Sequence, residues 1–393
     1  MITRVLCTHV LLICVTLSVL SSNATAASPT PKPPTVDAHS YVLMDYHSGQ
    51  VLAEVNADER ADPASLTKLM TAYVVFQELH TGKVQLSDNI FVSEKAWRTA
   101  GSRTFIKVGT AVAAEALLKG MIIQSGNDAS VALAEYVAGT EEAFADLMNR
   151  TGQQLGMRGT QFVNSTGLPH PEHYITARDV ALLLRAIIRD FPEYYAWYSE
   201  REFTYNGITQ YNRNRLLGRD PSVDGGKTGY TESAGYCLAA SAQRDGMRLI
   251  SVVLGAKREK LRVDASQALL NYGFRFFTTQ KLHEGNTALA EVRIWKGAST
   301  TLPLGLPQDL YVTTPRGQEK HLHTAMNIQP YIQAPVTQGA SYGTVNVTLA
   351  EDSIGEYPLV ALVEVPAGGW WRRAVDHIIL FIYSLFTWFY KTS

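Results

Sequence analysis

In the segment DPASLTKLMTAYVVFQELHTG, residues 62–82, residues 62–80 read as a helix that opens on a reactive pair. Asp62 is the expected N-cap and Pro63 falls in the first turn. Apolar positions recur at Leu66, Leu69, Met70, Tyr73 and Phe76, and Gly82 ends the run. Ser65 and Lys68, three residues apart, fall on one face near the start. A serine hydroxyl is a weak nucleophile until a neighbouring base takes its proton. A lysine amine partly withdrawn from water and close to other cations can lose its own proton and serve as that base. The positive potential of the helix N-terminus opposes a charge on Lys68 and favours an oxyanion developing nearby. The pair alone is weak evidence, because ordinary composition gives on the order of one such spacing in a chain of this length.

On the N-terminal side, SYVLMDYHSGQVLAEVN (residues 40–56) alternates in polarity about His47-Ser48-Gly49 and predicts a β-hairpin. On the C-terminal side, AAEALLKGMIIQ, DASVALAEYVA, EEAFADLMNRTGQQLG and TARDVALLLRAIIRD show helical spacing. AGYCLAASAQ and MRLISVVLGA then return as strands joined through Arg244-Asp245-Gly246. Hairpin, helices, hairpin predicts an α+β domain, residues 39–275, in which both ends of the segment meet in one sheet flanked by helices. After NYGFRFF the chain turns to short alternating strands, as in ALAEVRIWKG and GTVNVTLAED, so residues 276–366 are expected to form a smaller β-rich domain.

The ends carry a different signal. Residues 1–26 combine Arg4, an apolar run and Ala24-Thr25-Ala26, the pattern of a cleaved secretory signal, and residues 27–38 form a Pro-rich spacer. An uncleaved anchor is the alternative, but the apolar run is shorter than the ~20 residues of a span. The tail, residues 367–393, sets Trp370 and Trp371 beside Arg372 and Arg373 ahead of about 13 uncharged residues from Ile378. This is short for a span and suits an amphipathic helix lying in the membrane surface; a true span and a helix packed on the β-rich domain remain the alternatives. Lys plus Arg (35) nearly balance Asp plus Glu (36), which offers nothing to a polyanion and excludes nucleic acid as an expected partner. Of three cysteines only Cys237 lies beyond the signal, in an apolar stretch that predicts a packed thiol. The histidines are scattered, and no metal or cofactor is expected.

Two further motifs support the Ser65–Lys68 pair. Ser125-Gly126-Asn127 falls between two predicted helices, where a turn can present a hydroxyl and an amide to a cleft. Lys227-Thr228-Gly229 follows Asp224-Gly225-Gly226 and opens the first strand of the late hairpin. Gly229 clears the way for a substrate backbone, the strand can pair with an extended peptide, and Lys227 with Thr228 suits a carboxylate. In this order, one at each structural transition, the three motifs are far more specific than any one.

With these motifs, and with IIQSGNDASVALAEYVAG, TARDVALL, NRNRLL, VDGGKTGYTESAGY and NYGFRFF, the chain resembles the low-molecular-mass penicillin-binding proteins of the D-alanyl-D-alanine carboxypeptidase type. The resemblance implies a β-lactamase/transpeptidase-like sheet with a helical subdomain. It implies Ser65 as acylated nucleophile, Lys68 as base, Ser125 as proton relay and Asn127 as a contact to the substrate amide. Lys227 and Thr228 would clamp the terminal carboxylate, and the N–H groups of Ser65 and Tyr230 would form the oxyanion hole. Arg213 and Arg262 match basic positions near the carboxylate end. Asp179, in TARD, reads as a helix cap. The implied substrate is the peptidoglycan stem pentapeptide, with β-lactam antibiotics as mimics, and the implied place is the periplasmic face of the inner membrane, held peripherally. The glutamate-bearing loop of class A β-lactamases is not visible, so fast β-lactam hydrolysis is not expected. A DD-endopeptidase, a β-lactamase and a catalytically silent wall-binding module are the competing readings.

Overall fold

The computed structural model describes residues 30–392, with side chains to residue 383. The expected signal, residues 1–26, and the first residues of the spacer lie outside the described residues.

The opening hairpin pairs β1 (Ser40–Asp45) with β2 (Val51–Val55), and Gly49 takes the positive φ of the turn between them. The helices come next: α1 (Thr67–His80), α2 (Ala114–Ile123), α3 (Asn127–Ala138), α4 (Glu141–Gln154) and α5 (Ala177–Asp190). The chain returns to the sheet as β3 (Val223–Thr231), β4 (Gly235–Arg244) and β5 (Met247–Ala256). The last two strands are joined at Asp245 (φ 49°) and Gly246 (φ 82°), both left-handed as a two-residue turn of this type requires. β1 pairs with β5, so the five-stranded sheet runs β2-β1-β5-β4-β3 and the two ends of the segment meet as expected.

Both faces of this sheet are covered. Along β1, Val42 and Met44 enter a core shared with α1 to α5, whereas Tyr41 and Leu43 enter a second core beneath α6 (Glu259–Phe276). Alternation within the strands therefore selects between two buried layers, with little polar face left over. β3 is left at the sheet edge, turned toward the start of α1.

The expected helix over residues 62–80 forms differently at its start. A 3₁₀ turn, Ala64–Leu66, precedes α1, and neither element receives a side-chain cap, so Asp62 does not act as N-cap. The reason is tertiary: Ala64 is held at φ 46° against Gly167, where a Cβ would lie 1.7 Å from the Ala64 carbonyl oxygen.

No linker separates α6 from the β-rich part, whose first strand begins at Phe277. Residues 277–283 pair with 310–315, and six further strands form a sheet around Leu302, Leu304, Val345, Val347 and Leu359. The two-stranded ribbon joins the first sheet: Thr279 Oγ1 donates to Asp45 Oδ2 at 2.7 Å, and Ser48 and Thr313 share a hydroxyl bond of 2.7 Å. The tail is a helix, α7 (Trp370–Thr392), tied to the β-rich sheet where Asp376 accepts from Lys296 N at 2.6 Å and Arg372 donates to Ala298 O at 2.9 Å.

Candidate active site

A cleft of about 940 Å³ opens between the edge strand β3, the start of α1 and the turn ahead of α3. Ser65, Ser125, Asn127, Thr228, Gly229, Tyr230, Arg213 and Arg262 line it. Lys68 and Lys227 lie buried behind its wall. The fold thus brings together, from segments far apart in the chain, every candidate that the sequence singled out.

Ser65 sits in the 3₁₀ turn at the mouth of α1. One turn on, the Lys68 amine reaches Ser65 Oγ at 3.0 Å and donates to the Thr166 carbonyl at 2.6 Å. Lys68 is 1% exposed. Loss of water around the ammonium, and then the field of Arg213, bring its pKa from 10.5 down to about 7, against the opposing pull of Asp128 and Glu141. A neutral amine with one N–H on Thr166 keeps its lone pair for the serine proton, which a charged ammonium could not accept.

Ser125 carries a left-handed φ of 71°, a strained value for a serine, at the point where α2 hands over to α3. Gly126 is required there, since a Cβ would lie 2.1 Å from Thr104 Oγ1. Asp128, fully buried, accepts from the N–H groups of Thr104, Phe105 and Ile106 and so fixes the facing loop. Asn127 donates through Nδ2 to Ala100 O at 2.6 Å, which leaves its amide oxygen for another donor.

Lys227 donates to Ser125 Oγ at 2.9 Å and to the Thr228 carbonyl at 3.3 Å. Burial, then Lys68, Arg213 and Arg262, hold its pKa well below the usual lysine value. A Cβ at Gly229 would come within 3.1 Å of Ala64 Cβ and 3.4 Å of Ser65 N, so the missing side chain lets β3 run against the serine turn. Tyr230, about half exposed, lies with Tyr236 at 4.3 Å between ring centroids.

The two arginines differ. Arg213 stands exposed at the cleft wall. Arg262, which also lines the cleft, is buried and donates to the carbonyls of Gly229 (3.1 Å) and Cys237 (3.5 Å), so that it braces β3 and β4 as well. Cys237 is a packed thiol, its pKa pushed up to about 11 by burial. Asp179 is not the cap of α5. Thr176 is, accepting from Asp179 N at 3.1 Å, while the Asp179 carboxylate holds Gly159 N and Thr160 Oγ1.

The turn Asn164-Ser165-Thr166-Gly167 belongs to the site although the sequence did not single it out. Asn164 Oδ1 accepts from Thr166 N and Gly167 N, and Glu141 accepts from Ser165 N and Oγ. This shapes the carbonyl that receives Lys68 and the glycine that seats Ala64. An NSTG string is a recognisable turn, but its partner lies 98 residues away.

The family described as D-alanyl-D-alanine carboxypeptidase matches residues 26–258, and the penicillin-binding protein 5 C-terminal domain matches residues 277–367. The chain is 45% identical over 382 residues to D-alanyl-D-alanine carboxypeptidase DacC of Escherichia coli (strain K12), covering 95% of this chain and 96% of that protein. The crystal structure of penicillin binding protein 5 from Haemophilus influenzae superposes with a TM-score of 0.81 at 41% identity, covering 86% of this chain and 99% of that one. Penicillin-binding protein D2 of Listeria monocytogenes, solved in an ampicillin-bound form, does so with a TM-score of 0.57 at 30% identity, covering 61% of this chain and all of that one (100%).

Proposed function

The chain belongs to the D-alanyl-D-alanine carboxypeptidase family, and from that premise we propose that Ser65 is the residue acylated while the last D-alanine of a peptidoglycan stem pentapeptide is released. The chain is a serine-type D-Ala-D-Ala carboxypeptidase and penicillin-binding protein. The observation that carries the assignment of Ser65 is the buried Lys68 amine 3.0 Å from the hydroxyl, its pKa brought down to about 7 by burial.

In this reading the substrate lies extended along β3 with its terminal carboxylate near Thr228 and Arg213. Lys227 acts from behind, through Ser125. Ser65 Oγ attacks the penultimate carbonyl and its proton passes to Lys68. The N–H groups of Ser65 and Tyr230 meet the oxyanion. The C–N bond then breaks, and the departing amine takes a proton by way of Ser125. Asn127 holds the substrate amide, and Arg262 keeps β3 in place. Water hydrolyses the ester and frees the tetrapeptide. A β-lactam enters the same path and leaves a slowly hydrolysed acyl-enzyme.

The reading extends to place. Residues 39–275 are the catalytic unit, residues 276–366 a β-rich unit, and residues 367–393 an anchor on the periplasmic face of the inner membrane. No helix among the described residues is long and apolar enough to cross a membrane. Trp370, Trp371, Ile378 and Phe381 are all more than 60% exposed, which supports insertion of one face into the headgroup region. Product analysis tests the carboxypeptidase reading. The protein should release free D-alanine from a pentapeptide; cleavage of cross-linked dimers with no release from the pentapeptide would favour an endopeptidase.

A further inference from the structure

The turn beneath Lys68 is held by a residue that does not line the cleft. Its two carbonyls act on different partners. Thr166 O receives the Lys68 amine, whereas Ser165 O accepts from Thr71 Oγ1 and from Ser130 Oγ, each at 2.7 Å. Thr71 stands three residues beyond Lys68 on α1 and Ser130 three beyond Asn127 on α3, and both are fully buried. One carbonyl thus ties the helix of the nucleophile to the helix that opens on Asn127. Ser165 is fixed in turn, because its N–H and its hydroxyl both donate to Glu141 Oε1, at 3.0 and 2.8 Å. The other oxygen, Glu141 Oε2, meets the Lys95 ammonium at 3.1 Å. Lys95 belongs to the short helix Glu94–Arg98, which leads into Gly101 and Ser102 on the cleft wall, and it also pairs with the exposed Glu142.

Helix stability does not explain the burial of Glu141, which is 8% exposed. Thr140 already caps α4 by accepting from Ala143 N, and Glu142 already places a negative charge in the first turn. A carboxylate withdrawn from water is costly unless it is paired and hydrogen-bonded, and here both conditions are met by groups that lead to the catalytic turn. We propose that Glu141 is a positioning residue for acylation: through Ser165 it fixes the Thr166 carbonyl against the Lys68 amine and keeps Ser65 and Lys68 in register with Ser125 and Asn127. This role rests on Lys68 being the base, the reading given under Proposed function. Burial does most to keep the Lys68 amine neutral and Arg213 adds to it, whereas Asp128 and Glu141 favour the ammonium. Glu141 thus acts on Lys68 by its charge as well as through Ser165. The charged groups that face the Glu141 carboxylate itself are Lys95 and, beyond it, Glu142.

Two variants separate these effects by stopped-flow acylation with a chromogenic β-lactam across pH, on the full chain, with thermal melting alongside. Glu141→Gln keeps an acceptor for Ser165 but removes the charge. Its acylation rate at high pH should stay within roughly threefold of wild type, and its acid limb should move to lower pH, a shift that a residue serving stability alone would not produce. Glu141→Ala removes acceptor and charge together and should lower the high-pH rate by roughly tenfold or more. An acid limb that stays in place in Glu141→Gln, or a high-pH rate in Glu141→Ala equal to wild type, would overturn the role while leaving the acyl-enzyme on Ser65 intact. If Glu141→Ala does not fold, the pH profile of Glu141→Gln decides alone. Absence of a β-lactam adduct in the wild type would remove the base assignment and this role together.

Discussion

Lys68 sets how the site responds to pH. The neutral amine is the working base and the folded pKa is about 7, so acylation should be full above that pH and fall as the amine is protonated below it. Stopped-flow acylation by a chromogenic β-lactam against pH reads this directly, with an acid limb centred near 7. Arg213 is the largest charge that lowers this pKa. Arg213→Gln should therefore raise it and move the acid limb to higher pH, an effect that a purely substrate-binding arginine would not produce. Gly167→Ala makes a different point. With φ at 86° and the Ala64 carbonyl in the way, the added methyl should displace the serine turn and lower acylation by tenfold or more with a loss of roughly 1–3 kcal/mol in stability, read by thermal melting beside the kinetics. Ser65, Lys68, Ser125 and Lys227 were legible in the sequence because each belongs to a short motif whose chemistry is local. Thr166, Gly167 and Asn164 were not, because their importance comes from backbone that only tertiary structure brings beneath Lys68. Arg262 lines the cleft and also holds the Gly229 carbonyl of β3, a bracing contact that its charge alone does not reveal.

At the level of elements, both hairpins of the sheet were readable, since Asp245-Gly246 can supply the left-handed turn that the strands need. The start of α1 was read a turn too early, because contact between Ala64 and Gly167 overrides the usual capping pattern. The 18-residue helix α6 was missed altogether. Its buried residues Val263, Leu269, Leu270, Tyr272 and Phe274 are interspersed with Arg262, Ser266 and Gly273, which blur the apolar spacing. Thr176 gives a clean test of helix capping here. Thr176→Ala should cost about 1 kcal/mol of stability with little change in acylation, measured by denaturant titration. Lys227→Ala should act oppositely, slowing acylation by peptide and by β-lactam alike, because Ser125 loses the amine that orients it. Unchanged kinetics for both would make Lys227 structural.

Over the described residues, the candidate groups from Ser65 to Arg262 all precede the β-rich part, which begins at Phe277. The two sides of this boundary are joined by the Asp45–Thr279 and Ser48–Thr313 contacts and by His47 stacked on Tyr311 at 4.6 Å. Removal of residues from Gly368 onward should thus leave D-alanine release from a small peptide unchanged and abolish sedimentation with anionic vesicles; retained sedimentation would place the membrane contact elsewhere. The two-part organisation was visible as a change from helical to alternating spacing near residue 276, but the docking of α7 through Asp376 and Arg372 was not, since it depends on carbonyls and amides of the sheet. All of this turns on one serine. Incubation of the protein with penicillin, followed by digestion and mass spectrometry, should find a stoichiometric adduct on the peptide containing Ser65, absent in Ser65→Ala. An adduct of equal stoichiometry in that variant, or one mapped to another residue, would contradict the account.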